Sequence, residues 1–316
     1  MLSIVTVAHG AKEHLARCLR SVMEAAPLED AYEHIVVDNA SPDGAAEMVE
    51  QAFPQVILLR NGENIGFARA ANMGLLKAKG DPILLLNPDC ILPRNAAEEL
   101  IGFVKSRPRV GAASPMLVTP AGSPQISYAR FPRLFAHLIG LSPLGWALPS
   151  QLKDCGFSGV PPSLEEQVPR PADAPAGSCL LVRRAAYEET GGLDERFFMY
   201  YEDIEWAFRM AQKGWERYYV PSVRVVHDMG ATWSKSPTGL QLARSYQGKY
   251  RYFEITHGPM AGKLVRWTTV SCARLNVLLG RMLIGLRVGG DSWIRKREFN
   301  MRLLQVHRDY LVGEIP

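Results

Sequence analysis

Residues 3–25 read SIVTVAHGAKEHLARCLRSVMEA, and two periodicities meet in that stretch. SIVTVA (3–8) is a short apolar run rich in β-branched residues, which suits a buried strand. Leu15, Cys18, Leu19, Val22 and Met23 then recur at i, i+3, i+4, i+7 and i+8, the stripe of an amphipathic helix. The alternation continues outward. Residues 34–37 predict a second strand, with Ser41 as N-cap and Pro42 at the first position of a second helix. A third strand at 56–59 precedes a helix over 67–79 closed by Gly80. A fourth strand at 83–86, a helix near 94–105 and a strand near 111–117 complete the run. Strand and helix alternating at this spacing makes βαβ units on a parallel sheet. Right-handed crossovers then give an α/β fold, a doubly wound, mostly parallel sheet with its loops gathered at the strand C-termini.

After residue 117 the pattern stops. Residues 119–175 are rich in Pro and Gly and predict long surface loops, with a hairpin around 126–130, as a place for substrate contacts. A strand returns at 179–184, a helix at 202–213 and a last strand at 223–227. From about residue 237 the chain reads as helical to its end, so the expected plan is one α/β domain over 1–236 and a helical extension over 237–316.

The 316 residues are 47% hydrophobic and 22% charged, which excludes disordered, collagen-like and low-complexity classes. A chain of this length buries enough core to fold without a disulfide or metal staple. Cys18, Cys90, Cys155, Cys179 and Cys272 are odd in number and well separated. Neither a zinc cluster nor a disulfide framework is suggested, and a reducing cytosol is the expected compartment. A signal peptide's basic and apolar regions are missing, as is any uncharged apolar run of about 18 residues. The net charge of +4 is too small to argue for nucleic acid, and it hides an asymmetry. Residues 241–316 carry 13 Lys and Arg against 5 Asp and Glu, a balance of +8, so the rest of the chain is at −4.

Polar residues concentrate where strands finish, at Ala8-His9-Gly10, at Asp38-Asn39-Ala40-Ser41 and at Asn87-Pro88-Asp89. Parallel neighbours bring such ends to one sheet edge, the usual ligand crevice of open α/β sheets. Neither the dinucleotide fingerprint GxGxxG nor the P-loop GxxxxGK[ST] follows strand 1. A phosphate ligand therefore needs another partner, and a divalent cation on Asp89 is the natural candidate, Mg²⁺ or Mn²⁺.

The order of motifs resembles the family 2 glycosyltransferases of GT-A fold. The pieces are residues 3–7 with Cys18-Leu19, VVDNASPDG (36–44), NIGFARAANMG (64–74), LLLNPDC (84–90), GSCLLVRR (177–184), GGLDERFFMYYEDIEWAFR (191–209) and His227. Singly they are weak; six in order are specific, and their flavour is similar to rhamnosyltransferase-like and galactofuranosyltransferase-like members. The resemblance implies a catalytic domain over 1–236, with a nucleotide-binding half (1–118) and an acceptor half (119–236). Thr6, Ala8, Asp38, Phe67, Arg69 and Asn72 match positions lining the nucleotide pocket, with Asp38 facing the base; His9 and Asn87 complete that set. Asn87-Pro88-Asp89 stands where many members have Asp-x-Asp, so Asp89 would bind metal and diphosphate, and Asn87 departs by lacking the first carboxylate's charge. Glu202-Asp203 matches the acidic pair that supplies the catalytic base, assigned to Asp203. His227 matches a histidine that ligates the metal in some members.

These roles imply an inverting transfer from a nucleotide-diphosphate sugar to a hydroxyl of a glycan or lipid-linked acceptor in cell-surface polysaccharide synthesis. Deoxythymidine-diphosphate rhamnose is the first expectation for the donor, and a UDP-sugar of the same family the alternative. Tyr200, Tyr201, Trp206 and Phe208 are expected mostly in the core, with one tyrosine or Trp206 stacking on sugar. A sugar-phosphate nucleotidyltransferase is disfavoured because His9-Gly10-Ala11-Lys12 lacks its Gly-rich basic loop; a non-catalytic nucleotide-sugar-binding scaffold is the rival of another class. Lys263, Arg266, Arg274, Arg281 and Arg287 fall on one helical face. With Arg295-Lys296-Arg297 they make residues 260–297 either a peripheral contact with the inner face of the membrane or a packing or homodimer surface. Nucleic acid is not expected as a partner.

Overall fold

The computed structural model describes residues 1–25, 32–141, 162–228, 238–285 and 290–310. The N-terminal apolar run is β1 (Leu2–Ala8), which pairs in parallel with β2 (Tyr32–Asp38) on one side and β4 (Ile83–Leu86) on the other. β3 (Ile57–Arg60) extends that edge in parallel beyond β2. Beyond β4 the sheet continues through β10 (Cys179–Val182), β6 (Val110–Val118), β11 (Glu216–His227) and the two-residue β5 (Cys90–Ile91). β10 runs antiparallel to both neighbours, β4 and β6, so the sheet is mixed: β3, β2, β1 and β4 are parallel on one side, and on the other β6 and β11 are parallel while β5 is antiparallel to β11. β8 (Arg170–Pro171) adds to β11, and β7 (Tyr128–Ala129) pairs separately with β9 (Ala174–Pro175).

Helices α1 (Lys12–Ala25), α2 (Ala45–Ala52), α3 (Phe67–Lys77) and α4 (Ala96–Lys105) are the crossovers of the first half. α1 buries Leu15, Cys18, Leu19 and Val22 of the stripe read from its period, while Met23, the fifth member, is exposed. Ile4, Leu84, Leu86, Leu100, Val104, Ala113, Leu181 and Val225 join Cys18 and Val22 in one apolar cluster, so strands far apart in sequence share one core. α6 (Arg184–Thr190) and α7 (Glu202–Gln212) follow β10.

Four local expectations are corrected. α2 begins at Ala45, not at Pro42: the Ser41 hydroxyl accepts from the Gly10 amide and Asp43 from the Lys12 amide, so the Ser-Pro-Asp turn ties two loops together instead of capping a helix. α3 ends at Lys77, because the amide of Gly80 is taken by the Ser3 hydroxyl on β1 at 2.6 Å. No local hairpin forms at 126–130; Tyr128 lies opposite Pro175, a partner more than forty residues away. The strand expected at 223–227 is the end of twelve-residue β11, whose register shifts across Pro221, a residue that has no amide for the ladder.

The chain divides into two compact units, Met1–Phe131 with Gly159–Lys235, and Pro132–Ser158 with Ser236–Pro316. The second contains α5 (Leu134–Leu141), which packs on the long helix α9 (Pro259–Gly285), together with α8 (Thr238–His257) and α10 (Gly290–Tyr310). So part of the segment read as an acceptor half groups with the C-terminal helices. Among the described residues no helix is long and apolar enough to cross a membrane. Arg287 and much of the 119–175 segment lie outside the described residues.

Candidate active site

Strand pairing assembles the first cluster. β5 pairs with the end of β11 so that Cys90 lies opposite His227, and the Asp228 amide donates to the Asp89 carbonyl at 2.9 Å. This sets the His227 Nε2 3.4 Å from Asp89 Oδ1, with both side chains buried. Gln125 fixes the ring: its Nε2 donates to the His227 carbonyl at 2.8 Å, and its Oε1 accepts from Nδ1 at 2.9 Å. Nδ1 therefore carries a proton, and Nε2 is the ring atom directed at Asp89, the one that would serve as a metal ligand. Asp89 Oδ1 is buried without a hydrogen-bond partner, and Cys90 Sγ lies within 4.8 Å of both ligand atoms. A buried carboxylate oxygen without a hydrogen bond, beside an imidazole nitrogen, suits a divalent cation such as Mg²⁺ or Mn²⁺. Burial pushes the Cys90 thiol well above its usual range, so it stays a neutral neighbour. A cleft of about 190 Å³ opens beside Asp89, lined also by His14, Arg17 and Asp228. Burial raises the Asp228 carboxyl, but Arg17 at 3.3 Å and His14 at 3.4 Å bring it below its usual value.

The second cluster is built at the start of α7. Tyr200 and Tyr201 both adopt positive φ, at 72° and 74°, conformations that cost about 1–3 kcal/mol each in a non-glycine residue. They turn the chain so that Glu202 and Asp203 open the helix. The amide of Ile204 donates to Asp203 Oδ1 at 2.8 Å, and the amide of Gly177 to Oδ2 at 3.1 Å. Burial raises the Asp203 carboxyl, the two amides pull it down, and burial wins. Burial and then the Asp203 charge raise Glu202 to about 8, and its Oε2 is buried without a partner. Glu205 does not crowd this pair: it is clamped by both oxygens on Arg209 Nε at 2.8 and 2.9 Å, and Arg209 also binds the Gly192 carbonyl.

Two short links join the clusters to each other and to the start of α3. The Ser178 carbonyl, next to Gly177, accepts from the Asn87 amide at 2.8 Å, so the Asn87-Pro88-Asp89 turn and the Asp203 carboxylate are anchored one residue apart. The Phe67 amide donates to the Phe198 carbonyl at 2.6 Å. A Cβ on Gly66 would sit 2.8 Å from that same carbonyl, and Gly66 has φ +87°, so only glycine fits this start of α3.

Comparison with known proteins gives the chemistry a family. Residues 3–153 match the model of glycosyl transferase family 2. An N-acetylglucosaminyl-diphospho-decaprenol L-rhamnosyltransferase of Mycobacterium tuberculosis is 30% identical over 282 residues, 85% of this chain and 89% of that protein. The chain belongs to glycosyltransferase family 2. The rhamnosyltransferase WbbL of Escherichia coli is 24% identical over 235 residues, 72% of this chain and 83% of that one. Among solved structures, the mannosyltransferase PcManGT of Pyrobaculum calidifontis, in complex with GDP-Man and Mn²⁺, superposes with a TM-score of 0.57 at 15% identity, covering 97% of this chain and 86% of that one. The glycosyltransferase thus has the GT-A fold that its motifs implied.

Of the residues matched to the nucleotide pocket of this glycosyltransferase, Asp38 is buried at the end of β2. Its Oδ2 accepts from the Ser41 amide, and its Oδ1 is partnerless. Beside it His9 is exposed and donates from Nδ1 to the Asn39 carbonyl. Thr6 and Ala8 are fully buried; the Thr6 hydroxyl shares a 3.0 Å hydrogen bond with His34, so neither offers an atom at the surface. Burial holds His34 down at about 3, hence neutral. Asn72 uses both ends of its amide on the backbone of Leu193, at 2.8 and 2.9 Å, which makes it a clasp between α3 and the Gly191-Gly192-Leu193 loop. Arg69 is exposed and pairs loosely with Glu195 at 3.7 Å, and Phe67 and Asn87 are half-buried. Trp206, expected as one of three sugar-stacking candidates, is fully buried and donates to the Gly191 carbonyl; Tyr201 is buried as well, which leaves Tyr200. Gln125, His14 and Arg17 were not singled out from sequence, and Asn39 was quoted only as part of the polar end of strand 2. Asn39, at the C-terminal end of β2, is a hub bonded to Asn61, Asn64, Ile65 and Gly66.

Proposed function

We propose that this glycosyltransferase moves rhamnose, with inversion, from deoxythymidine-diphosphate rhamnose to a hydroxyl of a lipid-linked glycan. The observation that carries the reading is the 30% identity, over nearly the full length of both chains, to a rhamnosyltransferase named for a sugar-diphospho-polyprenol acceptor. Asp38 supports a pyrimidine base, since its free Oδ1 can accept an imide N–H of thymine or uracil. Arg69, in only a loose surface pair, is free to turn toward the donor diphosphate. Asp203 is the general base: its oxygens are oriented by two amides, and burial keeps its proton affinity above that of a free carboxylate, which suits taking the acceptor's proton as the hydroxyl attacks. Such a base contributes about 10²–10⁴-fold. Glu202, raised to about 8 by burial and then by the Asp203 charge, stays protonated beside it. Asp89 and His227 would hold the divalent cation, with Gln125 keeping the imidazole aligned. Bound there, the cation neutralises charge on the departing diphosphate.

Incubating the protein with a panel of nucleotide sugars and a short-chain N-acetylglucosaminyl-diphospho-polyprenol tests the reading. Transfer is expected with deoxythymidine-diphosphate rhamnose, and proton NMR of the product should give the inverted anomer. Transfer only from a UDP-sugar, or retention of configuration, overturns the corresponding part. A scaffold without catalysis would bind donor and transfer nothing.

A further inference from the structure

α9 carries a surface that the transfer chemistry does not use. Its buried side is Ala261, Val265, Thr269, Ala273 and Asn276, which pack toward α5, α8 and α10. At about 100° per residue these centre opposite Met260. Within about 60° of Met260 lie Leu264, Trp267, Leu275, Leu278 and Met282, all exposed, Trp267 at 69% and Leu278 at 56%. A soluble monomer scatters exposed apolar residues singly; a row of six at helical spacing marks a contact surface. The row runs from residue 260 to 282, about 33 Å of helix.

Charge decides what that surface meets. Lys263, Arg274 and Arg281 are exposed along one margin of the row, within about 60° of it. Residues 259–285 contain four basic residues and no acidic one. A second copy laid on the same face would bring these cations against their own images, a like-charge contact. The row is a convex helical ridge, where a protein ligand of this length would ask for a groove. An apolar ridge bearing an exposed tryptophan and a basic margin fits the boundary between headgroups and acyl chains. We infer that α9 docks the protein in the plane of a membrane, with Leu264, Trp267, Leu278 and Met282 inserted and Lys263, Arg274 and Arg281 on anionic headgroups. The inference stands apart from the donor and acceptor proposed above.

The test is co-sedimentation of the full chain with vesicles of phosphatidylcholine alone or mixed with phosphatidylglycerol. The wild-type chain should bind the mixed vesicles more tightly. Leu264→Ser/Trp267→Ser/Leu278→Ser should lower binding to both kinds by tenfold or more, on the order expected for lost apolar insertion. Lys263→Gln/Arg274→Gln/Arg281→Gln should remove the preference for the anionic mixture, about a hundredfold at roughly fivefold per charge. Transfer to a water-soluble acceptor should be unchanged in both variants, so failure here is separable from failure of the assigned reaction. Brominated phosphatidylcholine should quench the wild-type fluorescence, and the mild Trp267→Phe should abolish that quenching, which guards against a serine variant that merely misfolds. No vesicle binding by the wild type, equal binding by the variants, undiminished quenching in Trp267→Phe, or a dimer that only the serine variant dissociates would each overturn the inference.

Discussion

Gly177 donates its amide to Asp203 Oδ2 at 3.1 Å, and a Cβ at position 177 would meet that oxygen at 2.9 Å and the Asp203 Cβ at 3.0 Å. The backbone reaches the carboxylate closely because no side chain stands between them. Gly177→Ala should push the base off its line and lower kcat by up to about 10²-fold, the size of effect a misplaced catalytic group produces. Asp203→Asn should cost about 10²–10⁴-fold. Donor affinity by calorimetry should hold in both. A Gly177→Ala enzyme with normal kcat would remove this contact from the mechanism.

The pair Glu202–Asp203 also predicts pH behaviour. A base whose carboxyl is raised ionises above the ordinary carboxylate range, so kcat should climb with pH beyond that range. Glu202→Gln should leave the start of that climb in place, because Glu202 stands at about 8 and is still neutral while Asp203 ionises. Stability has the opposite sign. Glu202 stands at about 8 in the fold against an ordinary 4.5, so the folded state holds the proton more tightly than the unfolded chain. The fold is favoured below pH 4.5 and loses that advantage as pH rises toward 8. Melting temperature followed against pH should fall across this window in the wild type and fall less in Glu202→Gln. Superimposable curves would mean that Glu202 is not buried as described.

Most of the first half of the fold was legible because its longer elements carry their own period. β5 has two residues and no period at all, yet it brings Asp89 to His227. Motif order placed Asp38, Asp89, Asp203 and His227 at polar ends of elements, where the structure has them. It could not reveal Gln125, whose bond to His227 spans 102 positions from a stretch without periodicity. Nor could it tell a ligand-facing Asn72 from one spent on Leu193, since the same residue in the same motif serves either purpose.

Gln125 is accordingly predicted to matter for metal affinity rather than for folding of the sheet. Losing it frees the His227 ring to rotate and to change tautomer. Gln125→Ala should weaken Mn²⁺ binding about 10–100-fold by calorimetry, as removal of a ligand's orienting partner does elsewhere. Asp89→Ala should abolish it. Unchanged Mn²⁺ affinity in Gln125→Ala would show that the cation, if bound, does not use His227.

Asn72 gives a prediction that separates a clasp from a ligand contact. Its side-chain amide donates to the Leu193 carbonyl at 2.8 Å and accepts from the Leu193 amide at 2.9 Å, while Leu193 itself is buried. Asn72→Ala leaves two backbone groups without partners where water enters poorly, a loss of about 1–3 kcal/mol for such a buried group. Chemical denaturation should read that loss as a lower midpoint with an unchanged slope. The loop it holds begins the segment leading to Glu202 and Asp203, so kcat should fall modestly along with stability. Nucleotide affinity should stay where it was, because neither end of the Asn72 amide is available to a donor. A variant as stable as the wild type but with weakened nucleotide binding would reverse the assignment and return Asn72 to the pocket that its motif position implies.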